Sequence, residues 1–141
     1  MSALMISTDK AELDVPDIHH FLSTQSTWAI GIPLATVQRA IDRSLCFGGT
    51  LDGRQVAFAR VVSDYATFAY LVDVYVLEEY RGRGYSKRLM DAVMAHPDLQ
   101  GLRRFMLATS TAHTLYARYG FTAPLRPETL MERYVPDIYQ R

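Results

Sequence analysis

Cysteine is almost missing from this 141-residue chain, and Cys46 stands alone. One cysteine makes no internal disulfide, so the fold must rest on its core, and a reducing compartment is expected. Its setting, "SLCFGG", is apolar and marks a small buried hydrophobe in preference to a reactive thiol. Net charge is missing as well. Fifteen basic residues cancel fifteen acidic ones, which removes the long-range field that draws a domain onto nucleic acid or anionic lipid. Long apolar runs are absent too. None approaches the ~18 residues of a membrane span, and "MSALMISTDKAELD" lacks the basic start and apolar stretch of a leader. The expectation is a cytoplasmic protein with no nucleic-acid and no membrane partner. Neither repeats nor low-complexity tracts interrupt the chain, so residues 1–141 are expected to fold as a single domain around one core.

What remains is ordinary globular material, long enough to bury roughly two-thirds of the surface it exposes when unfolded. A short apolar run, Leu4 to Ser7, reads as a strand. "DVPDIHHFLSTQ" sets Asp14 as a cap just before Pro16 and predicts a helix to about Thr24. "PLATVQRAIDRSL" spaces Leu34, Val37, Ile41 and Leu45 along one face of a second helix, with Trp28 in the connection. In "LCFGGTLDGRQVAFARVV" the pair Asp52-Gly53 separates two β-rich runs and predicts a tight antiparallel hairpin. Phe68 to Leu77 extends that meander. Then come a helix from Gly84 to about Met94 with Leu89, Ala92 and Val93 inward, "RRFMLAT" as a strand, and "TAHTLYARYG" as a helix closed by Gly120. Short β-like pieces follow around Phe121 and from Leu130 to Tyr134. The order β-α-α-β-β-β-α-β-α-β specifies an α+β fold, with a mixed, mostly antiparallel central sheet flanked by helices.

Two of the chain's eight glycines fall within three residues, in "VDVYVLEEYRGRGYSKRLMDAVM". Gly82 and Gly84 lie where a strand gives way to a helix, and without Cβ atoms they admit positive φ and close approach by a ligand. The first N–H groups of that helix have no internal partner and sit at the positive end of its dipole. Arg81, Arg83 and Lys87 surround the turn with full charges, and Ser86 adds a hydroxyl. The guest this suits is a phosphate or pyrophosphate. It is not a dinucleotide fingerprint, because the third glycine would have to stand at Lys87. Nor is it a nucleotide P-loop, which needs four residues between its glycines.

"RGRGYS", read as Arg/Gln-x-x-Gly-x-Gly/Ala with Ser86 last, and "LYARYGF", read as Leu-Tyr-x-x-x-Gly-Phe, together resemble the GCN5-related N-acetyltransferase (GNAT) family. The resemblance covers roughly Phe47 to Phe121. It implies that Arg81, Gly82, Arg83, Gly84, Tyr85, Ser86 and Lys87 receive the pyrophosphate of acetyl-CoA, a cosubstrate. It implies that the backbone of Val74, Tyr75 and Val76 pairs with the pantetheine arm like an added strand. Thr109 stands where many members carry Asn, and its hydroxyl is the matching contact. Tyr116 matches the tyrosine that protonates, or hydrogen-bonds, the coenzyme A sulfur.

Acetyl transfer to an amine needs donors for a developing oxyanion and an acid for the leaving group. Asp73 interrupts "LVDVYV", where Asp is disfavoured; it is either the base for the amine proton or a tie for a bulged strand. It is expected to alternate with Leu71 and Tyr75, opposite Val72, Val74 and Val76. His113 lies three residues before Tyr116 on the same helical face and suits proton relay. Arg60 shares a face with Val56, Phe58 and Val62, where it binds an acceptor carboxylate or pairs with Asp64 or Asp73. Trp28, with His19 and His20, falls in the region that forms the acceptor wall in the family. The expected activity is direct acetyl transfer to a small-molecule or peptide amine in a ternary complex, with no metal and no acyl-enzyme, by a monomer or homodimer. The alternative from another class is a non-catalytic acyl-CoA-binding module.

Overall fold

In the computed structural model, which describes residues 3–141, five strands form one sheet in the order β1-β2-β3-β4-β5. They are β1 (Met5–Ser7), β2 (Leu45–Leu51), β3 (Arg54–Ser63), β4 (Phe68–Val76) and β5 (Arg104–Leu107). The first four pair antiparallel, and β5 joins β4 in parallel. Asp52 (φ 52°) and Gly53 (φ 81°) close the β2–β3 hairpin, as an Asp-Gly pair is suited to do. The α+β fold with its mostly antiparallel sheet is the one the element order specified.

Helices cover both faces. α1 (Val15–Thr24) is capped by the Asp14 side chain, which accepts from the Asp17 N–H at 3.1 Å. α2 (Leu34–Asp42) follows Pro33 and buries Val37 and Ile41. Leu34 stays half-exposed and Leu45 already belongs to β2, so the second helix ends earlier than its apolar spacing suggested. These two helices pack Ile18, Phe21, Val37 and Ile41 on Cys46, Phe58 and Tyr75 of the sheet. On the other face α3 (Tyr85–Ala95) packs Leu89, Met90 and Val93 on Phe47, Ala57, Ala59, Val61 and Leu71. The parallel β4–α3–β5 crossover requires that helix to lie against the sheet. α4 (His113–Ala117) follows β5.

Two bulges change which side chains share a face. The β2–β3 register shifts between Gly49 and Thr50, and Val56 joins Ala57 in the α3 cluster instead of lining up with Phe58 and Arg60. In β4 the register runs Phe58↔Tyr75 but Arg60↔Val72, so Ala59 faces two residues, Asp73 and Val74. Asp73 is the bulged residue, at φ 57°. The alternation expected along this strand is therefore broken: Leu71 and Val76 join the α3 cluster, while Tyr75 packs on the α1 side. There it stacks on Phe21, centroids 3.8 Å apart.

The β pieces expected around Phe121 and from Leu130 to Tyr134 are not formed. Among the described residues no pairing involves anything beyond Leu107. Residues 121–141 follow an irregular path with short 3-10 turns at Pro127–Thr129 and Ile138–Gln140.

Candidate active site

Asp73 is where β4 changes course. A bulge adds local twist and bends its strand, and the parallel pairing of β4 with β5 stops just before it, at Leu71↔Leu107. Past that point the side of β4 turned toward β5 has no strand partner. The Leu77 N–H donates to the Val56 carbonyl of β3 (2.9 Å), whereas the Val76 carbonyl faces away and accepts from Arg81 Nε (3.0 Å). Half of β4 is thus an open edge inside the molecule.

The bulge is held by side chains. Asp73 Oδ1 accepts from Trp28 Nε1 at 2.8 Å, and Oδ2 from Arg60 Nε at 2.9 Å. Arg60 also donates to Ser44 Oγ (3.0 Å), which donates to the Ala40 carbonyl (2.7 Å). This chain of contacts ties the α1–α2 connection to β4, β3 and the end of α2. The ion pair is largely shielded, its side chains 16% and 9% exposed, so its partners depend on each other. Of the readings left open for Arg60, pairing with Asp73 is the one found. Asp64 instead accepts from Thr67 Oγ1 and from the N–H groups of Ala66, Thr67 and Phe68, which hold its carboxyl far below the usual range.

Beyond Leu77 a 3-10 turn, Glu78–Tyr80, leads into the glycine turn. Gly82 and Gly84 take φ 79° and 80°, and a Cβ built on either would meet nothing within 4 Å. The glycines answer a backbone requirement, and the space over them is open. Gly84 caps α3 with no side-chain bond, and the first bond of the helix runs from Arg88 N–H to the Gly84 carbonyl. The N–H groups of Tyr85, Ser86 and Lys87 therefore have no carbonyl within the helix. A cleft of about 290 Å³ opens here, lined by Val76, Tyr80, Arg81, Gly82, Gly84, Tyr85, Ser86, Lys87, Leu115 and Arg118. Arg83 lies over the Tyr80 ring (5.2 Å to its centroid), and Arg54 lies 5.6 Å from the same ring.

Tyr80, Leu115 and Arg118 were not foreseen. Tyr80 directly precedes "RGRG", and Arg118, at the C-cap of α4, follows Leu115 by three residues, so both signals are readable once α4 is placed beside α3. That placement is fixed by Tyr119, whose hydroxyl donates to Asp91 (2.7 Å) with the Lys87 carbonyl 3.1 Å away.

Tyr116 is buried on α4, its ring edge-on to Phe121 at 6.2 Å. Burial raises its pKa above the ordinary tyrosine value, so it stays protonated. No hydrogen bond to its hydroxyl is found among the described residues, and it is not one of the sealed polar atoms. Thr109 Oγ1 accepts from the Ala112 N–H (3.0 Å) and so fastens the start of α4. His113 is exposed at the first helical position. On the other side of the sheet Trp28 is partly exposed, His19 Nε2 lies 3.0 Å from the Ile32 carbonyl, and His20 faces solvent. Cys46 is fully buried, and burial pushes its thiol up to about 11.

A strand splayed at a bulge and a glycine turn at a helix start are the parts of an acyl-CoA-type transferase fold. The chain belongs to the acetyltransferase (GNAT) family, which matches residues 15–121. A crystal structure of a candidate GNAT acetyltransferase from Xanthomonas campestris pv. campestris is 72% identical, with a TM-score of 0.98 over all of this chain and 99% of that one. That superposition takes in the C-terminal segment. A candidate acetyltransferase of Gibberella zeae is 32% identical over 136 residues, 81% of this chain and 76% of that protein. N-acetylglutamate synthase from Neisseria gonorrhoeae, complexed with coenzyme A and N-acetyl-glutamate, shares the fold at a TM-score of 0.71 and 15% identity, over 98% of this chain and 31% of its own.

Proposed function

We propose that the chain moves an acetyl group from acetyl-CoA directly to an amine within a ternary complex. The observation that carries this reading is one cleft shared by the open edge of β4 at Val76, the bare glycine turn, the unpaired start of α3 and the face of α4 next to Tyr116. The fit is chemical. Free N–H groups of Tyr85, Ser86 and Lys87 receive pyrophosphate oxygens, with Arg83, Lys87 and Arg118 supplying charge. The glycine turn admits the phosphates because no Cβ stands there. The open backbone at Val74–Val76 takes the amide-bearing arm as a strand takes a neighbour.

The reacting carbonyl then falls in the gap between β4 and β5, where backbone N–H groups near the bulge stabilise the charge that develops on its oxygen. Tyr116, kept protonated by burial, gives its proton to the departing sulfur, while the proton the amine sheds as the C–N bond forms passes to solvent, which returns one to the tyrosine. Thr109 fastens the start of α4 by accepting from the Ala112 N–H, which leaves its hydroxyl proton to donate to the arm. Asp73 acts as a positioning residue: Trp28 and Arg60 occupy its oxygens, and it sets the bend that parts the strands. Trp28 forms part of the acceptor wall. Cys46, buried with a raised pKa, is no acyl carrier, which supports direct transfer.

The deciding experiment is incubation with acetyl-CoA and a panel of small primary amines, amino acids and peptides, following free thiol. Amine-dependent thiol release together with an acetylated amine by mass spectrometry supports the reading. Cofactor binding without turnover on any amine class would overturn it.

A further inference from the structure

We propose that the acceptor is an amine carried on an apolar, ring-bearing body, and that this body lies on the sheet face formed by Val62, Phe68, Tyr70, Val72 and Met106. The inference rests on the direct-transfer reading above and names its substrate class.

The register brings these side chains together. Arg60↔Val72 and Val62↔Tyr70 pair across β3 and β4, and Tyr70↔Met106 across β4 and β5. Residues two apart on a strand share a face, so Phe68 and Arg104 join the same surface. The residues between them, Val61, Ala69, Leu71 and Phe105, pack toward α3. The surface therefore lies on the α1–α2 side, where Arg60 reaches Ser44 just past α2. α1 and α2 cover only the part of that side around Cys46, Phe58 and Tyr75, and none of the five apolar side chains belongs to either core cluster. Val62 is 42% and Phe68 39% exposed, while Tyr70, Val72 and Met106 are half-buried.

Two observations say what this face receives. The first is continuity with the site. Val72 is the last residue before the Asp73 bulge, and the β4–β5 pairing ends beside it at Leu71↔Leu107. An amine aimed at the gap between those strands trails its body over Val72 and Tyr70. From Val72 back to Phe68 is about 13 Å at the rise of a strand, room for an arylalkyl chain. A ring laid there takes apolar surface of both partners out of water and meets the Tyr70 ring.

The second is charge. A polyamine or a lysine-rich peptide needs carboxylates for its remaining ammonium groups, because an unpaired charge against an apolar surface is costly. Both Asp73 oxygens are taken by Trp28 and Arg60, and both Asp64 oxygens by the β3–β4 turn. The free charge on this surface is a cation: exposed Arg104 has no ion pair among the described residues. A second positive charge on the acceptor is repelled where an apolar body is received.

Trp28 is the chain's one tryptophan and borders this face through its bond to Asp73, so its emission reports occupancy without turnover. With coenzyme A present, 2-phenylethylamine should shift that emission at concentrations at least tenfold below those that 1,5-diaminopentane requires. With acetyl-CoA, kcat/KM should favour the aromatic amine by a similar factor. Tyr70→Thr keeps a strand former, and should raise KM at least tenfold for 2-phenylethylamine but less than twofold for methylamine. Arg104→Glu should improve kcat/KM for the diamine. A parent that prefers the diamine overturns the proposal, as does a Tyr70→Thr whose loss is the same for both monoamines. An emission shift without acetylated product supports the face and overturns only direct transfer. No shift with 2-phenylethylamine overturns the face, whatever the turnover.

Discussion

Trp28 and Asp73, 45 positions apart, meet in a 2.8 Å hydrogen bond that joins the α1–α2 connection to the bulge of β4. Asp73 also pairs with Arg60, so one carboxylate fixes both the bend of the strand and the wall beside it. Asp73→Ala removes a partner from a shielded pair and leaves a non-glycine residue at φ 57°. A loss of roughly 3–5 kcal/mol is expected from the pair alone. Asp73→Asn keeps a residue that tolerates this backbone and can still accept from Trp28. It should raise KM for the amine and leave the acid limb of the kcat/KM profile in place. An acid limb that vanishes in Asp73→Asn makes Asp73 the base.

Gly84→Val tests the turn. No neighbour blocks the side chain, but a β-branched residue at φ 80° is strained by roughly 1–2 kcal/mol and occupies the space meant for the ligand. Acetyl-CoA at a hundredfold excess over Kd should stabilise the parent by about 2.7 kcal/mol. In a folded Gly84→Val the melting shift with acetyl-CoA or coenzyme A should vanish. A retained shift places the cosubstrate elsewhere.

Tyr116→Phe keeps the ring against Phe121 and deletes a hydroxyl that has no partner among the described residues. Stability should change little, and kcat should fall about 10- to 10³-fold with little change in acetyl-CoA affinity. Full kcat under conditions where chemistry limits turnover would transfer the acid role to His113 or solvent.

Cys46 predicts an alkaline limb of stability. Its thiol ionises near 9.0 when unfolded and about 11 when folded, because burial opposes the thiolate. The folded state therefore holds the proton more tightly. The stability this provides is complete below pH 9 and is lost as pH rises toward 11. Denaturant unfolding across that range should fall less steeply in Cys46→Ala than in the parent, although the variant is weaker near pH 7. Equal slopes would show that the Cys46 thiol gives no alkaline limb.

Much of this was written locally. The Asp52-Gly53 hairpin, the Asp14 cap and the Gly82–Gly84 turn are short-range devices, each set by what its own few residues permit. The bulge was half legible: Asp73 is out of place in a strand, but its positive φ depends on Arg60 and Trp28, which the chain brings there only on folding. Val56 changed sides because it is itself the extra residue where β3 slips against β2, and a one-residue slip reverses the face. Arg118 and Tyr80 needed α4 placed against α3. The unformed strand at Leu130–Tyr134 is a different case. Its residues have the right composition, but a strand is completed only by an edge, and none is offered along the path this segment takes.

The open half of β4 gives the molecule an unusual hydrogen-exchange profile. Val76 is nearly buried in side chain, yet its peptide group faces the unpaired side, where the carbonyl already accepts from Arg81. Its amide proton, and that of Val74 if the alternation resumes past the bulge, should exchange with deuterium at loop-like rates in the middle of the sheet, while neighbours bonded to β3 stay protected. Bound cosubstrate should slow alternate residues of this strand and pass over those between, giving a two-residue periodicity in time that reports occupancy without any turnover.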